Sequence, residues 1–254
     1  MNAVISSLVL LSLVGLGYSW QYPLDADQTL WAFKTCQRQN DASNQLHMWS
    51  EWKLPNNPAT HCYVKCVWIH LGLYNDKDKS IKVEEVGKQF TSRGLEVPGD
   101  LNTIAGVTNG SCAAIYMKTI KFFANNVDNL RTAFYGTRKV SNEWYAQNPD
   151  VKPKGIKISA FCSAENREQG KEGNCRHACS AYYYRLVDKD YEPINFVNLG
   201  IKGISNNKIT NCRKKASKAK GCRGSDELYD CLMKHNKAGF EKVLQILDAR
   251  SERY

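Results

Sequence analysis

The stretch CYVKCVWIHLGL, residues 62–73, decides the fold of the first half of the chain, and CRHACSAYYYRL, residues 175–186, repeats its frame in the second half. In both stretches two cysteines stand four residues apart, and a leucine follows seven residues after the second cysteine. Side chains four residues apart project from one face of a helix, and Ile69 and Leu73 continue the same stripe. Each stretch is therefore predicted to form a helix that disulfides tie to two neighbouring helices.

The N-terminus has the features of an export signal. Residues 1–17 contain no charged side chain, and the run from Val4 to Gly17 is mostly apolar. This run is too short to span a bilayer, and small residues precede Trp20, so residues 1–19 are predicted to be a signal peptide. No later segment reaches eighteen apolar residues, so the mature chain is predicted to be secreted, without a membrane span.

The ten cysteines of this 254-residue chain fit the same compartment. They stand at positions 36, 62, 66, 112, 162, 175, 179, 212, 222 and 231. An even number in an exported chain predicts disulfides, because oxidising compartments preserve them. A metal site made of Cys62, Cys66 and His70 is the alternative, and export disfavours it. We therefore expect neither a metal nor a cofactor.

Charge and cysteines divide the chain near residue 150. Residues 20–150 contain fourteen basic and thirteen acidic residues, a net charge of +1, whereas residues 151–254 contain twenty-one and twelve, a net charge of +9. Four cysteines precede the boundary and six follow it, and the connector NPDVKPKG, residues 148–155, lies between them. Two domains, 20–150 and 151–254, are predicted. Three disulfide pairings remain possible in the first and fifteen in the second.

Most of the chain shows helical periodicity. Asp25 followed by Gln28 is typical of a helix N-terminus, and Ser225 followed by two acidic residues is a second such signal. Apolar stripes lie within residues 115–123 and 240–247, and the alternation typical of strands is scarce. The predicted fold is all-α.

Motifs of the common enzyme classes are missing from the sequence. There is no Gly-x-Ser-x-Gly, no His-Glu-x-x-His and no glycine-rich phosphate loop. Secreted phospholipases are also small, helical and rich in disulfides, but they need a His-Asp pair, and none of the five histidines is followed by Asp. The chain is predicted to be a binding protein and not an enzyme.

The cysteine spacing from Cys162 to Cys231 resembles that of insect odorant-binding proteins, including the eight-residue gap between the last two cysteines. The first half keeps four of the six cysteines, with Cys112 in the place of the fifth. Two such domains in tandem resemble the long-form D7 salivary proteins of blood-feeding flies. Further matches are the strings QTLWA at 28–32, the pair Trp49 and Trp52, LGLY at 71–74 and KPKGIKIS at 152–159.

This resemblance implies an all-α protein of two tandem, disulfide-stapled, odorant-binding-protein-like helical domains. It also implies a disulfide pairing that the spacing alone leaves open. The implied bridges are Cys36–Cys66, Cys62–Cys112, Cys162–Cys179, Cys175–Cys222 and Cys212–Cys231.

The resemblance further implies a salivary scavenger of host eicosanoids, namely cysteinyl leukotrienes and thromboxane-type lipids, which counters vasoconstriction, platelet aggregation and inflammation. Such a lipid needs an apolar tunnel, a hydroxyl partner and a cation near its carboxylate. Trp49 and Trp52 lie at the family's aromatic positions, Tyr63 is the candidate hydroxyl, and Lys154 and Lys157 in the connector are the candidate cations. Aromatic residues at helical spacing are more often plain core, and connector lysines are more often only solvated.

Biogenic amines are the alternative ligands, since the C-terminal domains of mosquito members bind them through an Asp and a Glu three residues apart. After its last cysteine this chain offers only Glu241, Asp248 and Glu252, and no two of them are three apart. The net charge of +9 would also repel a cation. Asp248 and Glu252 could replace the family's pair, but Arg250 and Arg253 favour surface ion pairs instead. We do not expect amine binding.

A cluster of cations near residues 212–223 gives a third hypothesis. It contains Arg213, Lys214, Lys215, Lys218, Lys220 and Arg223. Such a run is typical of a site for heparin-like polyanions or for acidic surfaces of clotting proteins, although a solvated helix face is the more frequent explanation. Nucleic acid is not an expected partner, because export removes it and the run lacks interleaved aromatic residues. A monomer is expected, and Asn109 begins a glycosylation sequon.

Overall fold

The structure is a computed structural model that describes residues 21–40, 44–164, 175–195 and 198–253. The predicted signal peptide, residues 1–19, lies outside this part of the chain. Helices dominate the described residues, which confirms the predicted all-α class. No described helix combines the length and the apolar character needed to cross a bilayer.

Ten α-helices and one short hairpin are found among these residues. The first half contains α1 (Ala26–Gln39), α2 (Leu46–Ser50), α3 (Pro58–His70), β1 (Tyr74–Asn75), β2 (Ser80–Ile81), α4 (Val83–Ser92), α5 (Cys112–Ala133) and α6 (Arg138–Gln147), with a 3-10 turn at Leu101–Ile104. The second half contains α7 (Ile158–Ser163), α8 (Ala178–Tyr183), α9 (Asn206–Ala216) and α10 (Arg223–Arg250), followed by a 3-10 turn at Ser251–Arg253. The strands β1 and β2 pair antiparallel.

Local capping explains where the main helices begin. At α1 the Asp25 side chain accepts a hydrogen bond from the Gln28 backbone N–H, and the Gln28 side chain accepts one from the Asp25 N–H. This reciprocal pair satisfies two N–H groups that a helix N-terminus leaves without partners, and it confirms the predicted start. At α3 the Asn57 side chain accepts from the Thr60 N–H at 2.9 Å, and Pro58 occupies the first turn.

Three predicted helix limits are wrong. Helix α8 begins at Ala178, so Cys175 lies before it, and the second stretch does not hold both of its cysteines in one helix as predicted. Helix α3 ends at His70, so Leu73 does not continue its stripe. Gly72 has a φ of 70°, a conformation that glycine adopts at no steric cost, and the turn there brings Leu73 into the core. Helix α10 begins at Arg223 and not at Ser225, which is buried within the first turn.

Five disulfides staple the bundle, and they are the five pairs that the resemblance implies. Helix α3 is tied to α1 by Cys36–Cys66 and to α5 by Cys62–Cys112. In the second half Cys162–Cys179 joins α7 to α8, Cys212–Cys231 joins α9 to α10, and Cys175–Cys222 holds the start of α10. Both ends of every bridge lie on the same side of residue 150.

The two largest hydrophobic cores lie one in each half, but the halves also share buried contacts. One core is built from first-half residues together with Ile194, and the other from residues after 150. Asp27 of α1 forms an ion pair with Arg185 of the second half, and both side chains are almost fully buried. The Tyr145 hydroxyl donates to Asp27 at 3.2 Å. The boundary at residue 150 stays a prediction, and the structure adds a polar, buried contact across it.

The connector between the halves is held in place by one lysine. Lys152 is 1% exposed, and its Nζ donates to the carbonyl oxygens of Pro153, Ile156 and Ser251 at 2.7–3.2 Å. Its backbone N–H donates to the Tyr183 hydroxyl at 2.9 Å. A buried ammonium group needs several acceptors, and these carbonyls supply them. The connector is therefore packed against the end of α10.

Candidate functional site

An apolar cavity lies in the first half, enclosed by α1, α2, α3 and α5. Its volume is about 80 Å³, and nearly all of the groups that line it are aromatic or aliphatic. The aromatic members that shape it most are Phe33, Trp49, Trp52, Tyr63, Trp68 and Phe123. The structure thus brings together the three aromatic residues selected from the sequence, Trp49, Trp52 and Tyr63.

Trp49 and Tyr63 form one wall of the cavity. Their rings are parallel and stacked, with centroids 4.3 Å apart. The Trp49 indole N–H donates to Thr60 Oγ1 at 3.1 Å, which fixes its orientation. Burial raises the pKa of Tyr63, and a hydrogen bond with the Gln37 side chain opposes that rise. The Tyr63 hydroxyl is thus the polar point of an otherwise apolar wall.

Trp52 forms a second wall from an unusual backbone position. Its φ is 61°, and its ring packs against Phe33 at 5.2 Å and Phe123 at 5.9 Å between centroids. Gly136 faces this ring so closely that a Cβ atom there would lie 2.1 Å from Trp52 Cζ2. Only glycine leaves room for the indole in this orientation.

Two other hydroxyl groups of the lining, those of Tyr116 and Thr119, are hydrogen-bonded to the protein. The Tyr116 hydroxyl donates to the Leu54 carbonyl at 2.8 Å, and the Thr119 hydroxyl donates to the Ile115 carbonyl at 2.8 Å. Satisfied polar groups offer a ligand mainly their apolar surface. The cavity is therefore suited to a hydrocarbon chain.

The two connector lysines do not line this cavity. Lys154 Nζ lies 3.2 Å from Ser141 Oγ and 4.8 Å from the centroid of the Tyr145 ring. Lys157 Nζ lies 3.7 Å from Glu252 Oε1, and both side chains are about half exposed. The physical reason is that the connector packs against α6 and the end of α10, away from the aromatic walls.

A second cavity, of about 460 Å³, lies beside the aromatic one, on the side to which Gln37 belongs. Its lining includes cations that were not predicted from the sequence. It is lined by Lys34, Gln37, Arg38, Leu46, His47, Ser50 and Arg253. Helices α1 and α2 line both cavities, and Gln37 reaches the Tyr63 hydroxyl. Burial lowers the pKa of Lys34, and the charge of Arg253 lowers it further. Lys34 and Arg38 are four residues apart on α1, so the sequence places them on one helix face. No pattern near Arg253 in the sequence indicates that it lies beside them.

The carboxylates considered for an amine site are engaged elsewhere. Asp248 accepts hydrogen bonds from the Ser159 N–H at 2.8 Å, the Ser159 hydroxyl at 2.7 Å and the Tyr184 hydroxyl at 3.1 Å. Glu252 pairs with Lys157. The sequence predicted ion pairs of these carboxylates with Arg250 and Arg253. In the structure Asp248 instead accepts from Ser159 and Tyr184, and Glu252 pairs with Lys157.

The basic run is less uniform than a solvated helix face. Arg213 is buried at the end of α9, and one of its terminal N–H groups donates to the Asn195 carbonyl at 3.0 Å. Lys215 pairs with Glu227 at 2.6 Å on the surface. Lys214, Lys218 and Lys220 are exposed. The prediction of a wholly solvated face is wrong for Arg213.

The alternative metal site loses its ligands to disulfides. Cys62 is bonded to Cys112 and Cys66 to Cys36, so neither sulfur is a free thiolate. His70 packs its ring edge-on against Trp31, with centroids 5.0 Å apart.

Comparison with known proteins places the chain in a family. Residues 25–98 match the model of the PBP/GOBP family. Over 253 residues the chain is 63% identical to the long form salivary protein D7LC of Phlebotomus papatasi, across 100% of this chain and 99% of that protein. The chain belongs to the long form D7 salivary protein family. Its fold matches that of a D7 protein from Phlebotomus duboscqi with a TM-score of 0.81 and 56% identity, across 92% of this chain and 100% of that one.

Two more distant D7 structures carry ligands. One is the AeD7–leukotriene E4 complex, with a TM-score of 0.69, 19% identity, and coverage of 91% of each chain. The other is the AnSt-D7L1 complex with U46619, with a TM-score of 0.62, 21% identity, and coverage of 93% of this chain and 91% of that one. At these identities the likeness shows the shared fold.

Proposed function

We propose that this D7 protein is secreted in saliva and sequesters host eicosanoids, cysteinyl leukotrienes and thromboxane-type lipids, in the apolar cavity of its first half. The observation that carries the proposal is the aromatic enclosure formed by Trp49, Trp52 and Tyr63. The leukotriene E4 complex and the U46619 complex of two D7 proteins with this fold support the choice of lipid class. Capture removes mediators of vasoconstriction, platelet aggregation and inflammation one molecule at a time, without turnover.

The size of the cavity implies that its walls move when a lipid binds. At about 80 Å³ it is well below the roughly 300–1,000 Å³ typical of sites for ligands of this size. Trp52 is the side chain best placed to move, because its backbone conformation is one that residues other than glycine rarely adopt. We infer that the lipid tail displaces the Trp52 ring from Gly136 and widens the cavity.

The lipid carboxylate is assigned to the cationic cavity behind Tyr63. Lys34, Arg38 and Arg253 come together there, and the described residues that line it include no carboxylate. An anion would offset the mutual repulsion of these cations. Of the two connector lysines, Lys154 stays a candidate: burial lowers its pKa, and the charge of Lys34 lowers it further. Lys157 is committed to Glu252.

Calorimetry with leukotriene E4 tests this function. We expect saturable, roughly one-to-one binding that persists in 0.5 M salt, because burial of apolar surface is not screened. The substitution Tyr63→Phe should weaken the binding of a hydroxylated lipid by about 0.5–1.5 kcal/mol, the net value of one hydrogen bond.

Tyr184→Phe is the matched control, since its hydroxyl faces Asp248 in the second half and its loss should leave lipid binding unchanged. The absence of heat with every eicosanoid tried would contradict the proposal.

We further propose that the second half does not capture biogenic amines. A protonated amine needs buried carboxylates, and Asp248 already accepts three hydrogen bonds. Serotonin at pH 7.4 should therefore give no binding heat. Micromolar binding that disappears in an Asp248→Ala, Glu252→Ala double variant would overturn this.

A further inference from the structure

One motif of the sequence has no part in the lipid site. Asn109, Gly110 and Ser111 form the sequon Asn-x-Ser, and no other Asn-x-Ser or Asn-x-Thr occurs in the 254 residues. The sequon lies in the loop between the 3-10 turn at Leu101–Ile104 and α5. None of its three residues lines the aromatic cavity or the cationic cavity, so a modification there is independent of lipid capture.

The loop around the sequon is held against the protein on both sides of Asn109. Before it, the Thr108 N–H donates to the Lys79 carbonyl of the hairpin at 2.9 Å. After it, Lys65 Nζ of α3 donates to the Gly110 carbonyl at 2.8 Å. Gly110 has a φ of 80°, which its lack of a Cβ permits. Asn109 itself is exposed, so the loop presents this side chain to solvent from a fixed base.

The amide of Asn109 is oriented by the next turn of the chain. Its Oδ1 accepts from the Ser111 N–H at 2.9 Å, which forms an Asx turn. The oxygen is therefore directed toward the backbone, and Nδ2 has no hydrogen-bond partner among the described residues. Nδ2 is the atom to which an N-linked sugar is attached. The folded protein thus leaves this nitrogen open to solvent and able to carry a bulky group.

The third residue of the sequon has a structural task once the chain has folded. The Ser111 hydroxyl accepts from the Ala114 N–H at 3.1 Å and caps α5. Cys112 follows directly and is bridged to Cys62. The hydroxyl at this position takes part in glycan transfer, so transfer must precede the capping of α5 and the closing of the bridge.

An apolar side chain stands two residues before Asn109. Val107 is 71% exposed, and its backbone forms an antiparallel bridge with Ser80. Residues two apart in extended chain project to the same side, and both Val107 and Asn109 are exposed. The first sugar of a glycan on Asn109 would therefore lie beside Val107.

We propose that Asn109 carries an N-linked oligosaccharide whose first sugar covers Val107. In the transfer, Nδ2 bonds to C1 of a lipid-linked oligosaccharide, the C1–O bond to the lipid diphosphate breaks, and Nδ2 releases one proton. Contact between the sugar and Val107 removes apolar surface from water and so stabilises the fold. The site rests on the proposed secretion, because this donor serves the secretory compartment, and it does not depend on lipid capture.

Expression of the full chain in insect cells tests the site. We expect the protein in the medium with the mass excess of one N-linked glycan, which peptide N-glycanase removes. Asn109→Gln should lose the whole excess. Ser111→Thr should keep it, because threonine also completes the sequon and also caps a helix. Asn102→Gln is the matched control, since it removes an exposed asparagine of the preceding turn that is outside any sequon, and the excess should be unchanged.

A thermodynamic cycle tests whether the glycan covers Val107. Asn109→Gln should lower Tm more in the unmodified background than in the Val107→Ser background, where no apolar side chain is left to cover. Loss of the Asx turn is common to both backgrounds and cancels. Equal falls in Tm would overturn the contact between the sugar and Val107.

The outcomes separate this site from the proposed function. A chain that reaches the medium without the mass excess overturns the glycan alone, whereas a chain retained in the cytosol overturns secretion and the glycan together. Leukotriene E4 binding should be the same in all these variants, because none of the changed residues lines either cavity. A fully glycosylated chain that binds no eicosanoid would support the glycan and contradict the lipid proposal.

Discussion

The two halves of this protein are built on the same frame but use their aromatic residues differently. In each half a long helix is interrupted at an asparagine, Asn126 in α5 and Asn236 in α10. The Asn126 side chain donates to Asp100 at 2.9 Å, and that of Asn236 donates to the Lys202 carbonyl at 2.8 Å. In both, a side-chain amide fixes a neighbouring loop at the break. The repeat that the cysteines show in the sequence is thus also a repeat of local structure.

The difference lies in the stapled helices. Helix α3 has 13 residues and presents Tyr63 and Trp68 to the apolar cavity. Helix α8 has 6 residues, and the tyrosines at its end face polar groups. The Tyr183 hydroxyl accepts from the Lys152 N–H, and the Tyr182 ring lies 4.7 Å below the Arg185 guanidinium. The same frame therefore encloses a ligand cavity in one half and supports the contact between halves in the other.

The largest expected effect comes from breaking that contact. Asp27→Asn keeps the size of the side chain but leaves Arg185 buried without its counter-ion. Removal of one partner of a buried pair costs about 3–5 kcal/mol, so the free energy of unfolding in urea should fall by that amount. The exposed pair of Lys53 and Glu51 provides the control, and Lys53→Gln should cost less than about 1 kcal/mol. Equal losses in the two variants would show that the contact between halves does not stabilise the fold.

The sequence predicts what depends on neighbouring residues or on the cysteine frame. The start of α1 was predictable, because a capping box is read within four residues. Trp49 and Trp52 were predictable from the family resemblance, which places aromatic residues there, and Tyr63 from its place after the first cysteine of the stapled helix. The end of α3 was missed, because periodicity alone does not register the turn at Gly72.

Contacts between distant segments could not be predicted. Arg253 joins Lys34 and Arg38 across more than two hundred residues of chain, and Asp27 meets Arg185 across 158. A single sequence contains the charges but not the packing that pairs them. The same limit explains why the sequence did not show that Lys154 and Lys157 lie outside the lining of the aromatic cavity: the connector's place against the end of α10 depends on the buried Lys152.

A second comparison concerns one histidine in each half. His70 packs on Trp31, and His177 stacks on Tyr229 at 4.1 Å. Burial lowers the pKa of His70 to about 4. Burial also lowers the pKa of His177, but the negative charge of Asp226 raises it and so opposes the effect. Below pH 6.5 the unfolded chain binds a proton that folded His70 does not. The free energy of unfolding should therefore fall as the pH decreases from about 6.5 to about 4, by roughly 3 kcal/mol from this group.

His70→Gln should remove that loss, and His177→Gln should change the profile less. Burial raises the pKa of Asp25 to about 6, which increases stability as the pH falls toward 4 and so partly hides the histidine effect in the unmodified protein. Both variants keep Asp25, so each difference from the unmodified protein isolates its histidine. Urea unfolding at several pH values between 4 and 7 measures this, and a larger change in His177→Gln would reverse the ranking of the two halves.

The smallest expected effect concerns which cation pairs with the lipid carboxylate, a lysine of the connector or a lysine of α1. Lys157→Gln breaks an ion pair with Glu252 at 3.7 Å whose side chains are 47% and 54% exposed. The free energy of unfolding should therefore change by less than about 1 kcal/mol. Leukotriene E4 binding should also stay within about twofold, whereas Lys34→Gln should weaken it about fivefold, because the carboxylate then loses a partly buried cation. The opposite ranking would place the carboxylate at the connector. The aromatic cavity would then open toward α6 and the end of α10, and the cationic cavity behind Tyr63 would have no part in lipid capture.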